Sequence, residues 1–205
     1  MRFTALILLG LLPAQLLPAG TQSGLFLNEL LANTPQSWLE LVNQSEQSAV
    51  LSGCELRITQ PTASQTWTFG PDTELGPGSF LVLSRAETGL QFPATGGRVE
   101  LRSPAGKVID ALDYGPQLPA ESIGRIGNQW ALLTAPSPGN ENGPAAPLGD
   151  LTAVRINEWR LNSPSQAGWV ELFNPNQRPV DLADSLLLDR IPDAKPFYFY
   201  PLSFL

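Results

Sequence analysis

From Gly24 onward, apolar residues fall in short runs or at alternate positions, and clusters of Gly, Pro, Asn and Ser separate the runs about every ten residues. Eight stretches read as strands: "GLFLNELLA", "WLELVNQ", "CELRIT", "TWTFG", "SFLVLS", "RVELRS", "KVIDALDYG" and "QWALLT". Helical spacing is hard to find in the same stretches. The punctuation between them, "GPDTELGPGS", "SPAGK" and "SPGNENG", places Pro and Gly where the chain must reverse. Short strands with polar turns at this spacing predict an all-β sandwich or barrel, and eight strands suit one immunoglobulin-sized sandwich.

Residues Gly139 to Thr152, "GNENGPAAPLGDLT", carry no strand pattern. They mark a linker, placed at 141–152, between packed units. Beyond it the first pattern starts again. "FLNELLANTPQSWLELVNQ" from Phe26 reappears as "RINEWRLNSPSQAGWVELFNP" from Arg155, so that Asn157 and Glu158 answer Asn28 and Glu29, while Trp169 and Glu171 answer Trp38 and Glu40. Carried forward, the repeat lays Phe197 on Trp67, Phe199 on Phe69 and Leu205 on Leu75. One complete domain over 24–140 and an incomplete second one over 153–205 are therefore expected, with the chain a fragment of a longer protein or completed by strands from a partner.

The ordered series of motifs resembles a bacterial lamin-tail domain protein. The likeness rests on Asn28-Glu29-Leu30 with Ala32-Asn33, Trp38-Leu39-Glu40-Leu41 with Asn43, and Leu51-Ser52-Gly53. It continues through Trp67-Thr68-Phe69, Pro77-Gly78 before Phe80-Leu81-Val82-Leu83, and Val108-Ile109-Asp110 before Tyr114. Ser122-Ile123-Gly124-Arg125, Trp130 and Pro136-Ser137-Pro138-Gly139-Asn140 complete it. Cys54 departs from the family pattern, which tends to have an aromatic there. The resemblance implies an immunoglobulin-like β-sandwich of lamin-tail type followed by a truncated second copy. It also implies a protein-interaction or accessory module, found alone, in tandem or beside secreted enzymes, with no catalytic residues of its own.

Ahead of the strands, Met1-Arg2 and the apolar run "FTALILLGLLPAQLLPAG" have the form of a secretory signal peptide, residues 1–23, with cleavage between Ala19 and Ser23. The protein is then expected outside the bacterial cytoplasm, secreted or in the cell envelope, with no membrane insertion once the signal is removed. The formal net charge of −7 opposes a phosphate backbone, which makes nucleic acid an unfavourable partner. One cysteine, Cys54, excludes an intrachain disulfide and reads as a small buried hydrophobe. The absence of histidine removes Ser-His-Asp and Cys-His catalysis and histidine zinc sites.

Candidate chemistry then narrows to the repeated carboxylates. Glu29 and Glu40, on neighbouring strands, have the pairing that acid–base work or calcium binding would use. The plainer expectation is structural: acceptance of loop N–H bonds or pairing with an arginine such as Arg125. Trp38, Trp67 and Trp130 read as packing residues, with a sugar-stacking platform as the alternative. Asp110 and Asp113 in "DALDYG" read as a solvated turn. The motif residues are Asn28, Glu29, Trp38, Glu40, Asn43, Trp67, Gly124, Arg125, Trp130, Asn157, Glu158, Trp169 and Glu171, with no catalytic, cofactor or metal role expected for any of them. The function expected is an exported, non-catalytic binding or spacer module with a protein or cell-surface ligand. The alternatives are the front of a secreted nuclease or phosphoesterase whose catalytic domain follows in the same chain, and a carbohydrate-binding adhesin.

Overall fold

The computed structural model describes residues 24–161, 165–188 and 196–205, so the leader expected at 1–23 lies outside the described residues. In chain order the strands are β1 (Leu25–Leu31), β2 (Trp38–Asn43), β3 (Ala49–Val50), β4 (Glu55–Gln60), β5 (Ala63–Thr68), β6 (Glu74–Leu75), β7 (Phe80–Ser84), β8 (Gly97–Arg102), β9 (Val108–Tyr114), β10 (Ile123–Ile126), β11 (Gln129–Leu132), β12 (Arg155–Arg160), β13 (Trp169–Phe173), β14 (Leu186–Leu187) and β15 (Phe197–Tyr198). One turn of α-helix, α1 (Arg85–Thr88), follows β7 and is closed by a reciprocal Ser84–Glu87 capping box.

The chain is all-β, and its first half is a sandwich. One antiparallel sheet has the order β11-β10-β1-β2-β7 and the other β5-β4-β8-β9. Alternation explains why they stack: Leu27, Leu30, Leu39 and Leu41 of the first sheet meet Leu56, Ile58, Val99, Leu101 and Leu112 of the second in one apolar core. Cys54 lies in that core, where burial pushes its thiol pKa up. Several strands escape a pattern-based reading in whole or in part. β10 is short and contains Gly124, and β5 begins at Ala63, before its first large apolar residue, because it pairs with β4 back to Gln60.

The stretch 141–152 is not all free of the sandwich. Ala146 N donates to Leu132 O at 2.7 Å and Thr134 N to Pro144 O at 3.1 Å, so 144–146 runs beside the end of β11. Pro and Ala supply no alternation by which this could be read.

In the second half β12 pairs with β13, and β14 with β15. The register is that of the first half. Ile156↔Leu172, Glu158↔Glu171 and Trp159↔Val170 match Leu27↔Leu41, Glu29↔Glu40 and Leu30↔Leu39, with a bulge at the same place. Leu187↔Phe197 matches Leu56↔Trp67. Phe199 N bonds to Ser185 O as Phe69 N bonds to Cys54 O. Asn174 Nδ2 reaches Arg178 O and Leu205 O, just as Asn43 Nδ2 reaches Gln47 O and Leu75 O. Even the left-handed residue recurs, Gly53 at φ 71° and Asp184 at φ 61°. Asp is among the few side chains that tolerate that conformation.

The halves touch through the chain's last residues. Phe204 enters the first core, Phe204 N donates to Pro116 O at 2.9 Å, and Gly115 N donates to Pro201 O at 2.8 Å.

Candidate functional site

The bulge in β1 falls at Asn28, Glu29 lies across from Glu40 on β2, and polar residues of two segments, 122–125 and 137–142, close over them. Glu29 is fully buried: Oε1 accepts from Ser122 Oγ at 2.6 Å and from Ser137 N at 3.0 Å, and Oε2 accepts from Ser137 Oγ at 2.8 Å. Glu40, also fully buried, accepts from Asn28 Nδ2 at 2.7 Å through Oε1 and from Gly139 N through Oε2. Burial pushes the Glu40 pKa up. The nearby Glu29 charge adds to the rise, while the bonds from Gly139 and Asn28 oppose it. Asn142 Nδ2 ties the group together by donating to Asn28 O at 3.0 Å and Arg125 O at 2.8 Å. Gly124 is required by this closure, since a Cβ there would come within 2.6 Å of Leu133 Cδ1 and 2.8 Å of Asn142 Nδ2.

Each oxygen of the two carboxylates thus accepts at least one hydrogen bond from within the chain. Neither side chain has any exposure, whereas acid–base work needs a carboxylate that substrate or water can reach. The expected loop N–H bonds are present, from Ser137 and Gly139. The arginine is differently placed: Arg125 Nη2 pairs with Asp110 Oδ2 at 2.7 Å and Nε donates to Leu27 O at 3.0 Å. Asp110 therefore sits buried on β9, where it also accepts from Leu27 N at 2.9 Å. Asp113, on the same strand, pairs with Arg98. The "DALDYG" segment is strand rather than solvated turn, because alternate residues of β9 face the sandwich interior.

Trp38 is buried, and Trp67 and Trp130 are half-buried against the core. Trp67 meets Phe69 edge-on at 4.6 Å, and Trp130 lies 5.3 Å from the Arg125 guanidinium, which also covers Phe26. These three tryptophans do not form an exposed platform. Asn43 is buried and donates to Gln47 O, just before β3, and to Leu75 O in β6.

The counterpart in the second half has the same foundation and, among the described residues, a thinner cover: Leu172 packs beside Phe199 and Leu205 against the small core of Val154, Val180 and Leu182. Asn157 Nδ2 donates to Glu171 Oε1, repeating the Asn28–Glu40 bond. Among the described residues no donor reaches Glu158, and β12 and β13 pair with no third strand. Their apolar side chains are exposed: Trp159 46%, Val170 47% and Phe173 53%. The pattern of alternation identified these positions; only the structure distinguishes the enclosed hairpin from the more exposed one.

Among the described residues no group of three or more His, Cys, Asp or Glu is placed to hold a metal ion, and no helix is long and apolar enough to cross a membrane. No family model and no curated protein matches the chain.

Proposed function

We propose that the protein is an exported, non-catalytic interaction module of lamin-tail, immunoglobulin-like type, in which the first half is the rigid support and the β12–β13 hairpin is the binding surface. The observation that carries this reading is the contrast between two hairpins of one register, one enclosed in a sandwich and the other presenting Trp159, Val170 and Phe173 to solvent. Exposed apolar side chains of this kind, with Trp159 and Val170 paired on one face and Phe173 on the other, are a mark of interaction sites. The use of Glu29 and Glu40 as structural acceptors supports a role without chemistry. The leader sequence at 1–23 supports export.

In-cell photocrosslinking tests it. A photoreactive residue at Val170 is expected to give a discrete protein adduct, and the same residue at Thr66 on β5 to give none. Absence of any adduct at Val170, with the protein expressed and exported, would contradict the reading.

A further inference from the structure

We infer that Asn142 is a self-modification site: Gly143 N closes on the Asn142 side chain, the amide is lost as ammonia, and the carboxylate left behind unfastens the cover of Glu29 and Glu40. The chain holds one Asn-Gly step, "NG" at 142–143. Ring closure is least hindered in such a step, because the residue whose nitrogen attacks has no Cβ. The nitrogen is also uncommitted. Among the described residues Gly143 N donates no hydrogen bond, and both residues are partly exposed.

The step balances with water as its only co-reactant. Gly143 N attacks Asn142 Cγ, the N–Cγ bond forms and the Cγ–Nδ2 bond breaks, and Nδ2 leaves as ammonia with the proton that Gly143 N gives up. Water then opens the cyclic imide at either carbonyl, leaving aspartate or its isomer in which the main chain runs through the side chain. Nothing is oxidised or reduced.

The consequence follows from where this amide sits. In the closed form Nδ2 donates to Asn28 O at 3.0 Å and Arg125 O at 2.8 Å, while Oδ1 lies 3.3 Å from Asn28 Nδ2 and from Ser137 Oγ. These bonds hold Cγ in place, so ring closure waits for the cover to open locally. The product does not close again. A carboxylate has no N–H for Asn28 O and Arg125 O, which are left facing an acceptor. Its charge also joins two fully buried carboxylates, and among the described residues no cationic side chain pairs with Glu29 or Glu40, since Arg125 is held by Asp110. Each opening thus offers a chance of conversion, and each conversion keeps residues 137–147 open.

The test incubates the folded full chain at mildly alkaline pH and follows the tryptic peptide 126–155, which holds Asn128, Asn140 and Asn142, by mass spectrometry after digestion in mild acid. Conversion is expected at Asn142, with Asn128 and Asn140 intact. Gly143→Ala is expected to slow it several-fold and to leave the unfolding midpoint unchanged, since the φ at 143 is not left-handed and an added Cβ meets only Thr134 Oγ1, at an ordinary 3.7 Å. Ser137→Ala, which removes a bond from the cover, is expected to speed it. Amide exchange, read separately on converted and unconverted molecules of one sample, is expected to show residues 137–147 losing protection ahead of β4 in the converted ones only. Asn142→Asp is expected to reproduce that loss, and the converted molecules carry the test should this variant fail to fold. Four results would each overturn the inference: no conversion in the folded chain while a free peptide of residues 137–147 converts, a rate unmoved by Gly143→Ala, a rate unmoved by Ser137→Ala, or full protection of 137–147 after conversion.

Discussion

Glu40 is the residue on which the closed hairpin turns. Its carboxylate has no exposure and two protein donors, and its pKa is raised chiefly by burial. A raised folded-state value means that Glu40 contributes fully below the unfolded-state value of about 4.3, and that this contribution is lost as pH rises through the folded value. Glu40→Gln keeps the shape, turns one acceptor into a donor, and does not titrate. It is expected to cost about 1–3 kcal/mol near pH 4, with a penalty that shrinks toward pH 7; urea midpoints of both proteins across that range check it, and a penalty that grows with pH would contradict the assignment. Tyr114 gives the opposite case. Its hydroxyl is buried with no partner among the described residues, and burial pushes its pKa up. Tyr114→Phe removes an unsatisfied group and is expected to raise stability by about 1 kcal/mol, read as a higher unfolding midpoint.

Between elements, the same hairpin occurs in two environments, and its side chains should be unequal in worth. Leu39 is fully buried, so Leu39→Ala is expected to cost about 2–5 kcal/mol; Val170, its counterpart, is half exposed, and Val170→Ala is expected to stay within about 0.5 kcal/mol. Equal penalties in denaturant melts would mean that β13 is covered as β2 is. The strand pattern and the repeat were legible because alternation and Asn-Glu and Trp-x-Glu spacing are local. The register of β12–β13, the bulge and the pairing of Phe197 follow the positions that the repeat predicts. What covers Glu29 was not legible, because Ser122 and Ser137 come from 93 and 108 residues away. Nor was the partner of Arg125, since Asp110 reaches it across the junction of two sheets. The β3–β6 and β14–β15 pairs are two residues long, too short for alternation to register.

At the scale of the molecule, the two halves form a continuous body through the terminal residues. Phe204 fills the first core, and Gln117 Nε2 donates to Leu202 O at 2.7 Å. Gly115 lies against Ser203 so closely that an added Cβ would collide with its hydroxyl and come within 3.2 Å of Tyr200 Cβ. Gly115→Ala is expected to cost about 1–3 kcal/mol and to open the terminal segment to proteolysis; an unchanged midpoint and digestion pattern would mean that the segment is not docked. With the second half anchored in this way, its more exposed hairpin is carried on a docked segment rather than on a loose tail.

β12–β13 repeats the register of an enclosed hairpin with less over it, and amide hydrogen exchange resolved to single strands distinguishes the two. Amides of β2 are expected to exchange only with global unfolding and those of β13 faster by orders of magnitude. Protection of β13 equal to that of β2 would contradict this.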